Sequence, residues 1–117
     1  KLNEAISQLE KIMPFNSNQP GLAFELGLLY YRVGQKDKAL NELQRAVLLS
    51  PDFANARWYL GLIFEERQDF ASAIEQMEKI LSVEANKENQ EVLKKLQQLK
   101  SGQKLVPPKK VIDQRPL

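Results

Sequence analysis

Few groups in this chain could do covalent chemistry. Glu65-Glu66 are adjacent carboxylates, and Glu75 and Glu78 stand one helical turn apart, a spacing that would suit a general acid and base. The 117 residues contain no cysteine and no histidine, however. That removes thiolate and disulfide chemistry, the commonest general base and the commonest metal ligand. With no partner nucleophile, the acidic pairs read as solvated helix faces, and the chain as a non-enzyme without a cofactor or a metal. Lys109-Lys110 could touch acidic lipid or nucleic acid, but two lysines among prolines read as a solubilising tail. The remaining chemistry is recognition. Phe24, Leu28 and Tyr31 fall at i, i+4 and i+7, one face of a helix, and Trp58, Leu62 and Glu65 repeat the face. Such a stripe is either an apolar trough for a partner's segment or ordinary core.

The elements that must position these residues form a repeat. Leu26-Gly27-Leu28-Leu29-Tyr30 returns after 34 residues as Leu60-Gly61-Leu62-Ile63-Phe64. Twelve residues after each glycine comes an alanine, Ala39 and then Ala73, and Ala5 precedes Ala39 by the same 34. Self-similarity at this period marks a stack of helical hairpins.

Taken in order, residues 1–13 read as a helix with an apolar stripe of Leu2, Ala5, Ile6, Leu9, Ile12 and Met13, stopped by Pro14. Pro20 suits the first turn of a helix running to Val33, which Gly34 ends as a left-handed cap. Gly27 and Gly61 in helix interiors imply that a neighbouring helix backbone comes too close for a side chain. A third helix covers 36–49, with Ala39, Leu43 and Ala46 along one face. Asp52 is placed to cap a fourth, to Arg67, and Asp69 a fifth, 70–83. Lys94 and Lys95 then stand where Leu and Gly would begin another hairpin. Residues 88–100 instead read as a closing helix, with Val92, Leu93, Leu96 and Leu99 covering the stack and polar residues facing water. Ser101-Gly102 is expected to end it, and the prolines at 107, 108 and 116 forbid a helix beyond.

Charge limits the partners. Residues 1–100 carry 13 Lys and Arg against 14 Asp and Glu, while the last 17 carry a net +3. A nearly neutral body argues against nucleic acid, which is held through many phosphate contacts. No apolar run approaches the roughly 20 residues that span a bilayer. Cysteine-free composition leaves cytoplasmic and oxidising compartments open. The chain starts at Lys1 and reads as the C-terminal part of a longer array, with any address or anchor upstream.

Residues 50–64 resemble the junction and first helix of a tetratricopeptide repeat. The first full copy matches that family through Leu26, Gly27, Tyr30, Ala39, Leu43, Ala46 and Pro51, the second through Leu60, Gly61, Phe64, Ala73 and Met77. The second departs at Ile80, where Ala is usual, and at Ala85, where Pro is usual. Residues 1–17 resemble the second helix of a preceding repeat, so the resemblance implies repeats over 18–53 and 54–87, a capping helix at 88–100 and a basic tail at 101–117. The implied fold is an all-α solenoid of antiparallel hairpins. The family's usual Trp is displaced: Ala23 and Arg57 hold its position, with Phe24 and Trp58 one residue later. The resemblance implies that the later position faces a concave groove, lined by Phe24, Leu28, Tyr31, Asn55, Trp58, Leu62 and Glu65 with Gly21. The other set would pack the repeats. The family's clamp for a C-terminal carboxylate is not matched, since the equivalent positions hold Phe24, Glu25, Leu28, Asn55, Tyr59 and Leu62. The expected function is a protein-interaction scaffold that binds a peptide or helix. The alternative is a structural element whose copies associate, through the outer face of the first helix or through residues 103–117. In that case Leu105, Val106, Val111 and Ile112 would dock on apolar surface.

Overall fold

The computed structural model describes residues 1–105, and among them there are six α-helices and no strand. They are α1 (Leu2–Ile12), α2 (Pro20–Arg32), α3 (Lys36–Leu49), α4 (Ala54–Glu66), α5 (Phe70–Leu81) and α6 (Gln90–Leu105). The expected all-α stack is what the chain adopts. α2 pairs with α3 and α4 with α5, α1 and α6 flank these hairpins, and α3 packs on α4. No helix among the described residues is long and apolar enough to cross a membrane.

Local chemistry sets the turns. Gly34 has φ +85°, and Gln35 N–H donates to Tyr30 C=O at 2.9 Å while Gly34 N–H donates to Tyr31 C=O at 3.1 Å. This pair of bonds closes the helix end over a left-handed residue. The same turn recurs one repeat later with Gln68 at φ 59°, and with Asp69 N–H bonded to Phe64 C=O at 2.9 Å. Asp69 also caps α5, its carboxylate accepting from Ser72 N–H at 3.2 Å. Asp52 does not cap α4: Phe53 occupies the cap position, and no side-chain bond forms there. Pro14 does not stop the first helix bluntly, because a 3-10 turn, Met13–Phe15, continues past it.

Two expectations need larger correction. The interior glycines yield chiefly to side chains, and only at Gly27 does a neighbouring backbone also come closer than ordinary contact, with Leu43 N 3.3 Å from where its Cβ would stand. A Cβ on Gly27 would lie 2.9 Å from Leu43 Cγ, and one on Gly61 would lie 2.2 Å from Met77 Cε. A side chain of the paired helix fills each notch. α6, in turn, runs through Ser101-Gly102 to Leu105. A Cβ on Gly102 would meet the Phe70 ring at 3.0 Å, so this glycine is a close contact with α5 and not a stop. Leu105 is 85% exposed; Val106, Val111 and Ile112 lie outside the described residues. Leu93, expected against the stack, is 38% exposed, whereas Val92 and Leu99 are buried.

The core runs the length of the stack. Leu26, Tyr30, Ala39, Leu43, Ala46 and Leu60 are buried in one cluster, and Ala73 and Met77 in a second that joins α5 to α6. Phe64 is half-buried and packs against both. Tyr30 donates its hydroxyl hydrogen bond to Glu10 of α1, tying that helix to α2. Burial first, then this bond and the charges of Glu10 and Glu42, push the Tyr30 pKa well above its usual 10.0. A phenol whose folded pKa is raised contributes stability that is complete below the unfolded pKa and is lost as pH rises toward the folded value. The urea midpoint is therefore expected to fall between about pH 9 and pH 11, and Tyr30→Phe to flatten that fall. Equal pH slopes in the two proteins would contradict this account.

Candidate functional site

α2 and α4 expose their faces beside the start of α6, and a concavity of about 520 Å³ opens between them. Phe24 and Leu28 of α2 form one wall. Ala54, Asn55, Trp58 and Tyr59 of α4 form the floor, and Ile80, Asn86, Asn89, Glu91 and Val92 close the far side. Its lining mixes aromatic and aliphatic side chains with three asparagines, Asn55, Asn86 and Asn89, and one carboxylate, Glu91. Lysine and arginine are absent from this lining, which agrees with the mismatch to a carboxylate clamp. Asn89 is already engaged, its side-chain oxygen accepting from Val92 N–H at 3.1 Å to cap α6.

Aromatic packing holds the wall in place. Phe24 lies 5.0 Å from Phe53 and 6.2 Å from Tyr59 between ring centroids, and Tyr31 meets Tyr59 edge-on at 5.4 Å. Such tilted pairs add roughly 0.5–1.5 kcal/mol each beyond area burial. They join α2 to α4 and fix the spacing across which a ligand would lie.

At the other end of the same helices, the carboxylates first read as solvated are engaged. Glu66 accepts from Lys36 Nζ at 2.7 Å and from Tyr31 Oη at 3.1 Å, and Glu65 pairs with Lys95 Nζ of α6 at 3.0 Å. Arg67 pairs with Asp37 beside them. The hydrogen bond from Lys36 is the main cause that holds the Glu66 carboxyl below its usual range, against the opposing effect of burial. Burial, then the Glu66 charge, raises the Tyr31 phenol. Glu75 pairs with Lys79 at 3.3 Å within α5, and Glu78 reaches Lys100 at 3.9 Å. Glu65, Glu66 and Glu78 reach cations on other helices, whereas Glu75 pairs within its own, and Glu75 and Glu78 remain solvent-exposed as expected.

Of the seven expected groove residues, Phe24, Leu28, Asn55 and Trp58 share the concavity. Tyr31 and Glu65 lie outside it and belong to the inter-hairpin contacts described above. Leu62 is half-buried and is absent from the lining. The contributions of Tyr59, Ile80, Glu91 and Val92 went unread. Tyr59 had a legible signal, an aromatic adjacent to Trp58 that turns toward α2. The α6 residues had none, because the repeat pattern lapses before that helix.

A family model described as tetratricopeptide repeat matches residues 24–89. A crystal structure of MamA protein aligns with TM-score 0.81 at 26% identity, covering 89% of this chain and 56% of that one, so this chain spans little more than half its length. The first TPR of Spaghetti (RPAP3), bound to the HSP90 peptide SRMEEVD, aligns with TM-score 0.76 at 24% identity, covering 86% and 78% of the two chains. The Sgt2 TPR domain from Aspergillus fumigatus aligns with TM-score 0.77 at 22% identity, covering 92% and 74%. At these identities, the last two show likeness of fold. No curated protein sequence matches the chain.

Proposed function

Because the chain belongs to the tetratricopeptide repeat family, we propose that it is a protein-interaction module whose concavity between α2, α4 and α6 receives a segment of a partner protein. The observation that carries this is Leu28 beside Trp58. Both are half-buried apolar side chains lining the concavity; Trp58 also packs against the second core cluster, whereas Leu28 packs into neither. A solved relative of the same fold holds a peptide, the HSP90 segment on the first TPR of Spaghetti, which supports the class of ligand. Its acidic sequence has no matching basic lining here, so the ligand differs. Catalysis has no support in the carboxylates first considered, since Glu65, Glu66, Glu75 and Glu78 all sit in ion pairs.

The test is an array of random dodecapeptides probed with the wild-type chain, Trp58→Ala and Leu28→Lys. The wild type should capture a defined set. Each variant should lose at least about 2 kcal/mol of binding, the size of an interface hot spot, with unchanged far-ultraviolet circular dichroism. Phe24→Ala is a poorer probe, because Phe24 also stacks on Phe53 and Tyr59. Capture that ignores both substitutions would remove the concavity as the site.

Association between copies is the second reading. It rests on Leu2, Ile12 and Phe15 at the outer end of the stack, which are 39%, 43% and 87% exposed. Sedimentation of residues 1–117 and 1–102 over a wide concentration range separates the two. Monomers throughout would leave the concavity for a foreign partner.

A further inference from the structure

The charge of the concavity points to a particular ligand. Glu91 is the charged residue of the lining, and it takes part in no ion pair among the described residues. Of the cations on the flanking segments, Arg57, Lys87 and Lys95 are engaged, whereas Lys94, three residues along α6 from Glu91, takes part in no ion pair among the described residues. Arg57 turns its guanidinium away, donating to Pro51 C=O and to Gln76 Oε1 inside the stack. Lys95 is held by Glu65, and Lys87 by Glu84 at 3.0 Å. Asn89 already caps α6, so Glu91 is not needed for that task.

The same lining places aromatic and aliphatic carbon in the cavity that carries this carboxylate: Trp58 and Tyr59 on the floor, Leu28 and Phe24 on the wall. An aromatic ring and a carboxylate together suit an ammonium or guanidinium, through the ring's negative face and the opposite charge. An adjoining aliphatic wall suits a branched side chain next to that cation. We infer that the occupant is a foreign peptide segment in which Lys or Arg neighbours an aliphatic residue, its cation between Glu91 and the Trp58–Tyr59 floor. This rests on the reading of the concavity as a peptide site. It adds the sign of the ligand's charge, opposite to that of an acidic C-terminal tail.

The chain contains one tryptophan, Trp58, so its fluorescence reports directly on the floor. The array above is scored for composition, and the strongest binders are resynthesised with each Lys or Arg changed to Gln and to Glu. Basic peptides should shift Trp58 emission with Kd about fivefold lower than their Gln forms and lower again than their Glu forms. Glu91→Gln should erase the preference for Arg over Gln, and Glu91→Lys should reverse it. Trp58-dependent capture with no charge preference, or a preference for acidic peptides, overturns this inference and leaves the peptide site standing. An array with no Trp58-dependent binder removes both. The peptide of residues 106–117, which contains Lys109-Lys110-Val111-Ile112, is titrated alongside. If it binds more tightly than every array member, the occupant is the chain's own end, and the proposal of a foreign segment falls.

Discussion

Leu43→Ala is expected to lower the unfolding free energy by about 3 kcal/mol, the range seen when a fully buried leucine leaves a cavity. Leu43 has no exposed surface, and its branched end fills the notch left by Gly27 on the facing helix. The more telling result is the double substitution. Gly27→Ala alone should destabilise by about 1 kcal/mol, because overpacking against Leu43 outweighs the helix propensity gained. Its Cβ meets Leu43 Cγ at 2.9 Å and Cδ2 at 3.1 Å, atoms near the branch point that the packed leucine cannot swing aside. In the Leu43→Ala background those two atoms are gone, and the backbone N of residue 43, at 3.3 Å, is left as the nearest contact. Gly27→Ala should then stabilise, filling part of the cavity and rigidifying the helix. The expected coupling is about 2 kcal/mol, read from urea midpoints of the four proteins. Additive effects would mean that the notch does not set the residue at 27.

The second repeat provides the contrast. A Cβ on Gly61 would fall 2.2 Å from Met77 Cε, a shorter approach than at Gly27. Yet Cε is the far end of a flexible thioether chain, and the next atoms, Ala73 O and Gln76 Cβ, stand at 3.7 and 3.8 Å. Met77 can turn aside. Gly61→Ala should therefore cost less than Gly27→Ala despite the shorter distance. Leucine resists a Cβ on its glycine; methionine tolerates one.

That difference bears on how much the sequence reveals. The 34-residue period is enough to place the hairpins, because a recurring Leu-Gly and its downstream Ala repeat one packing geometry. Ala39, Ala46 and Ala73 have no exposed surface, as small residues between close helices must. What lies outside the period is harder to read. Gly102 looks like a helix stop by its type alone, and the Phe70 ring, 3.0 Å from where its Cβ would stand, gives the residue a packing reason instead. Glu65 and Glu66 find cations about 30 residues away, at Lys95 and Lys36, and nothing local in the sequence marks such pairs. The concavity is half legible for the same reason. Phe24, Leu28, Asn55 and Trp58 follow the repeat, whereas Glu91 and Val92 come from a helix that has left it.

Arg57→Ala is the second large effect, expected at about 3 kcal/mol. Arg57 holds the position where the family usually has Trp, and it is 8% exposed. Its Nε donates to Pro51 C=O at 2.8 Å and its Nη1 to Gln76 Oε1 at 2.9 Å, so one guanidinium ties the entry turn of α4 to the middle of α5. Truncation removes the aliphatic stem from the interior and strips Gln76, itself buried, of its donor. A buried acceptor left unpaired costs about 1–3 kcal/mol, and the lost packing adds to it. Lysine should not rescue, because a single ammonium cannot reproduce two donors held in a planar fork. Arg57→Met with Gln76→Leu should recover most of the loss, since it removes donor and acceptor together and refills the volume with carbon. Arg57→Met alone should not, because Gln76 would remain unpaired. If the single and double substitutions prove equally stable by urea midpoint, Gln76 finds another donor, and the bond from Arg57 does not hold the two helices together.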